Sequence, residues 1–147
     1  MLAILLNSAH SAQKYMTHEF TILVSASPLN TQSHLTAMRF IEELLQQNLT
    51  IRSIFFYQDA VLVANKLSSP PSDEPQIRSL WQNLSESHDL ELQTCVAASY
   101  RRGIIDKHEA NERALEHFNL HDSFKMTGLG QLAAAMSSPQ VKLVQFK

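Results

Sequence analysis

Short apolar runs rich in β-branched and aromatic residues recur along the chain, and the stretches between them carry helical patterns. The runs are Phe20–Ser25, Ile51–Tyr57, Leu90–Thr94, Ser123–Met126 and Val141–Phe146. Phe20–Ser25 and Leu90–Thr94 read as buried strands, Ile51–Tyr57 and Val141–Phe146 as apolar strands, and Ser123–Met126 as a short fourth strand. Strands alternating with helices predict an α/β domain with a mainly parallel sheet covered on both faces. In such sheets reactive groups gather beyond the C-terminal ends of the strands. Ser25, Tyr57 and Cys95 fall at that edge.

The intervening segments support this pattern. Ala37, Phe40, Ile41, Leu44 and Leu45 recur at helical spacing, which predicts one buried stripe on a helix capped by Thr31 or Ser33 and ended by Asn48. Ala60–Leu67 reads as a short helix. Ser68–Pro75 holds three prolines and reads as an ordered surface loop, too short for a domain linker. Ile77, Leu80, Trp81 and Leu84 share one face of the next helix, with Trp81 in the core. Val96–Arg101 reads as a helical turn broken at Gly103, Lys107–Phe118 as a helix, and Gly128–Ser137 as a small-residue helix.

Size and charge narrow the function. The 147 residues are 44% hydrophobic and carry a net charge of −2, which fits one domain with a real core and lacks the basic footprint of a nucleic-acid binder. No segment approaches the roughly 20 apolar residues of a membrane span. Residues 1–15 have a short apolar run without a preceding cation. They read as a disordered or non-native N-terminal extension rather than a signal peptide, leaving 16–147 as the domain.

The one cysteine, Cys95, rules out an internal disulfide and a multi-cysteine zinc site, and a lone thiol suits the cytoplasm. It stands where a strand runs into a helix. There unpaired backbone N–H groups and the helix dipole favour thiolate, the reactive form. Arg101 and Arg102 follow and add positive charge, with Asp106 as a candidate partner for one of them. The competing reading is a small buried side chain.

Three other constellations carry less. Cys95 and Arg101 match the C-x-x-x-x-x-R spacing of a cysteine phosphatase or arsenate-reductase-like loop, but the intervening Val-Ala-Ala-Ser-Tyr favours a helix over a phosphate cradle. Gly128, Gly130 and Ala133 match a dinucleotide fingerprint, yet no acidic residue follows to hold a ribose. Those glycines read more simply as permitting a tight turn and close helix packing. His117 and His121 are four apart without the converging ligands a metal requires. No cofactor or metal is expected.

The stretches FTILVSASPLNTQ, SIFFYQDAVLVANKLSSPPSDE, CVAASYRRGIID, MTGLGQLAAA and VKLVQF agree in order and spacing with one family. From Phe20 to Phe146 the chain resembles the TusD/DsrE family of sulfur-relay proteins, and within it the TusD branch. Ser27-Pro28-Leu29-Asn30 departs from the Gly and Tyr common in that family's first loop. The resemblance implies a single flavodoxin-like (DsrE-like) three-layer domain with five parallel strands, and a sulfurtransferase whose persulfide carrier is Cys95. Arg101, Arg102, Tyr57 and Ser25 would be supporting residues. It implies TusB-like and TusC-like subunits in a heterohexamer, a TusA-like sulfur donor and a TusE-like acceptor. The relay would lead toward 2-thiouridine at the tRNA wobble position or, in the DsrE branch, serve sulfur oxidation.

Overall fold

In the computed structural model, which describes residues 18–29 and 32–147, five strands form one fully parallel sheet. They are β1 (Glu19–Val24), β2 (Thr50–Phe56), β3 (Leu92–Cys95), β4 (Phe124–Thr127) and β5 (Val141–Phe146), in spatial order β4-β3-β2-β1-β5. This order, which the sequence pattern left open, differs from the flavodoxin order 2-1-3-4-5 while keeping the parallel three-layer plan. The chain steps outward from β1 to β4, then returns across the sheet to set β5 on the other side of β1.

The pleat sorts the side chains. Ile22, Val24, Ile54, Phe56, Leu92 and Phe124 face α1 (Ser33–Gln46) and α2 (Ile77–His88), where Trp81 packs edge-on to Phe56 at 5.0 Å between ring centroids. The opposite face carries Thr21, Phe55, Cys95 and Thr127 and is crossed by α5 (Leu129–Met136), tied down where Thr21 Oγ1 donates to the Ala135 carbonyl at 3.5 Å. Helices therefore cover both faces, unequally: two long amphipathic helices on one side, one eight-residue helix on the other. No helix among the described residues is long and apolar enough to cross a membrane.

Several local expectations change. The 60–67 helix is a 3-10 segment over Gln58–Ala64. Ser33 is the first residue of α1 and not its cap; Gln32 stands at the cap without a side-chain bond, and Thr31 lies outside the described residues, as do Asn30 and the segment 1–15. Leu80 is 39% exposed, because its helix is buried only along the line of Trp81 and Leu84. The helix expected over 107–118 stops early: α4 spans Lys107–Glu112. Ala114 takes a left-handed φ of 53°, and the Leu115 N–H closes back on the Ala110 carbonyl at 2.8 Å, a Schellman-type ending. Asn48 ends α1 in the same way, with φ 57°.

Candidate functional site

The C-terminal edge of the sheet is where the chemistry-bearing residues meet. β3 is a central strand, and its last residue is Cys95. Ser25 follows β1, Tyr57 follows β2, and Thr127 ends β4 as the ladder partner of Cys95. The Tyr57 N–H donates to the Val24 carbonyl at 2.9 Å, and the Ser25 N–H to the Phe146 carbonyl at 2.9 Å, so the edge is stitched across β2, β1 and β5.

Cys95 is 2% exposed and belongs to the apolar core. It is also the cap residue of α3 (Val96–Tyr100), a helix of only five residues. Thr94 points to the α1/α2 face, where its hydroxyl meets Ser99 Oγ of α3 at 3.1 Å. Alternation then turns Cys95 to the other face, on the side of α5. One strand residue thus fastens α3 while the next presents a sulfur to the opposite layer.

Arg101 stands exposed at the C-terminal end of α3, the end opposite Cys95. Six residues of helical rise carry Arg101 about 9 Å along the axis from Cys95. Arg102 donates from Nε and Nη2 to Asp59 Oδ1 at 2.9 and 2.7 Å, and from Nη1 to the Ala98 carbonyl at 3.2 Å. Its partner is Asp59 of the 3-10 segment, not Asp106, which caps α4 by accepting from the Glu109 N–H at 2.8 Å. Because Val96–Tyr100 is helical, Cys95 and Arg101 do not close a phosphate cradle.

Ser25 is buried, and its hydroxyl donates to the Phe146 carbonyl at 3.3 Å while accepting from Gln145 Nε2 at 3.2 Å. Tyr57 is half-buried beside it. Thr127 lies one residue beyond the Ser123–Met126 run and ends β4. It is 8% exposed, and its Oγ1 has no hydrogen-bond partner. Only the parallel register, invisible in sequence, joins it to Cys95.

The other motifs dissolve. Gly128 opens α5 with φ in the ordinary negative range, its N–H donating to Gln131 Oε1 at 3.0 Å, and a Cβ on Gly130 would meet open space. Gly130 therefore lacks the close packing expected of it, whereas a Cβ on Gly128 would lie 3.3 Å from Gln131 Oε1, a tight contact with the far end of a flexible side chain. His117 and His121 both lie past the end of α4, so they share no helix face; His121 Nδ1 accepts from the Ser123 N–H at 3.2 Å. No cluster of potential metal ligands occurs among the described residues.

Comparison with known proteins agrees with this architecture. The model of the DsrE/DsrF-like family matches residues 18–146. The chain is 41% identical over 130 residues to the sulfurtransferase TusD homolog of Vibrio vulnificus, covering 88% of this chain and 98% of that protein. It is 42% identical over 127 residues to sulfurtransferase TusD of Erwinia tasmaniensis, covering 86% and 98%. Among solved structures, the ychN protein from E. coli superposes with a TM-score of 0.64 at 18% identity, over 88% of this chain and 99% of that one, a likeness of fold.

Proposed function

The chain belongs to the DsrE/DsrF-like family, and from that premise we propose that it is a sulfurtransferase of a sulfur relay in which Cys95 carries sulfane sulfur as a persulfide. The observation that supports this most is the position of the sole cysteine, at the C-terminal end of a central parallel strand, where α/β sheets place their reactive groups. The relatives named sulfurtransferase run alongside the chain for nearly their whole length.

The chemistry is exchange without net oxidation. The Cys95 thiolate attacks the outer sulfur of a donor persulfide; that S–S bond breaks, its electron pair leaves on the donor sulfur, and a new S–S bond forms on Cys95. An acceptor thiolate then attacks the same outer sulfur and returns the pair to Cys95 Sγ. With no second cysteine in the chain, no internal disulfide competes for the cargo. In this reading TusB-like and TusC-like subunits complete a heterohexamer, a TusA-like protein gives sulfur and a TusE-like protein takes it, toward 2-thiouridine at the tRNA wobble position, in the cytoplasm. A net charge of −2 leaves RNA contact to a later component.

One observation favours a second reading. At 2% exposure Cys95 is as buried as its core neighbours, which fits an inert packing thiol. Intact mass after incubation with a small-molecule persulfide separates the two. The relay expects one added sulfur, removable by reductant, on the wild type and none on Cys95→Ser. A wild type that stays unmodified, with a thiol that also resists alkylation, sinks the relay reading and supports packing.

A further inference from the structure

We infer that Thr127 is the hydrogen-bond donor that holds the outer sulfur of the loaded cysteine. The inference rests on the Cys95 carrier reading and adds to it a second residue of the sheet edge.

Thr127 and Cys95 are Cα partners across adjacent parallel strands, so their side chains leave the same face of the sheet side by side. Thr127 is 8% exposed, and its Oγ1 is shielded from solvent without a partner. A buried hydroxyl without a partner is costly, and native structures rarely keep one. Two neighbouring hydroxyls are already engaged: Ser25 Oγ with Phe146 and Gln145, and Thr94 Oγ1 with Ser99. Among the described residues, the remaining buried side-chain polar atoms without a partner belong to His18 and Arg78, which are not neighbours of Cys95 in the ladder.

The thiol itself does not satisfy Thr127, since no bond joins Oγ1 to Sγ. Loading changes the acceptor. A persulfide sets a second sulfur about 2.05 Å beyond Sγ, and when ionised this outer atom bears the negative charge. Neighbouring strands lie about 4.8 Å apart, so an atom added to Cys95 on this face enters the space beside Thr127. The Thr127 O–H then donates to an anionic sulfur, a charge-assisted bond. When an acceptor thiolate takes the outer sulfur, the S–S bond to Sγ breaks and Thr127 loses its partner again. The hydroxyl thus distinguishes loaded from empty.

The test uses the full chain loaded with a small-molecule persulfide and followed by intact mass, comparing wild type with Thr127→Val and Thr127→Ser. Valine keeps the shape and removes the donor; serine keeps the donor. Thr127→Val is expected to lose its sulfur at least about tenfold faster, the scale of one hydrogen bond to a charged group. Thr127→Ser should stay near wild type. Alkylation of the unloaded thiol at fixed pH should be the same in all three, a readout that general loosening of the edge would move. Equal lifetimes in wild type and Thr127→Val overturn the inference alone, as does a serine variant that behaves like valine. A wild type that takes up no sulfur overturns the carrier reading, and this inference falls with it.

Discussion

Trp81 donates its indole N–H to Nδ1 of His34 at 3.0 Å, and both residues are fully buried. With Nδ1 accepting, Nε2 must carry the hydrogen and donate to the Ala26 carbonyl at 2.8 Å. The neutral ring therefore joins α2 to the loop after β1. Burial lowers the His34 pKa from its ordinary value, and the Ala26 carbonyl offsets only part of that. The unfolded chain, with a histidine pKa of about 6.5, takes up the proton first. The stabilisation is thus complete above about pH 6.5 and falls as pH drops through that value toward the lower folded one. Thermal unfolding from pH 8 to pH 5 should show a steeper loss for wild type than for His34→Gln. Parallel curves would remove His34 from the account. His121, also shifted down by burial, is present in both proteins and cancels in the comparison.

Cys95→Ser should fold, remain parallel-stranded and accept no sulfur. Putting a hydroxyl where the core holds a thiol should cost about 1–3 kcal/mol, read as a lower denaturant midpoint. A serine variant that gains sulfur elsewhere would displace Cys95 from its role.

Ala114 is an exposed alanine held at φ 53°. Its Cβ is strained there, whereas glycine is at ease. Ala114→Gly should stabilise the protein by about 0.5–1 kcal/mol, with the reverse of the usual glycine effect. A lower melting temperature in this variant would show that the turn opens in solution.

The Arg102–Asp59 pair is partly exposed on both sides, 29% and 58% by side chain. Such pairs contribute at most about 1 kcal/mol. Arg102→Met should lower stability slightly at low salt, with a gap that narrows in 1 M salt, where the Debye length is about 3 Å. Because Asp59 already holds the guanidinium, the substitution should leave sulfur loading of Cys95 unchanged. A large loading defect would return Arg102 to the site.

Periodicity made the layers legible. Short apolar or β-rich runs located all five strands to within two residues, and the spacing of Ala37, Ile41 and Leu44 oriented α1. The edge position of Cys95 followed directly. What periodicity lacks is information about neighbours across space. It gave no strand order, offered Asp106 but not Asp59 as an arginine partner, and ran α4 past Ala114, where an alanine in place of glycine sends no stop signal. Thr127 escaped for the same reason: 32 positions separate it from Cys95 in the chain, and only the ladder makes them adjacent.

The crossover that carries the chain over α5 to β5 has a consequence for synthesis. Among the described strands β1 is made before the other four, yet one of its two neighbours, β5, is made after them; Ser25 meets the Phe146 carbonyl across 121 residues of sequence. Until translation reaches that point, the nascent sheet holds an unpaired apolar edge that invites other strands, and closing so distant a pairing is slow. A chain cut before Val141 would lose β5. That loss would strip the flank of the central sheet and leave the product exposed to aggregation.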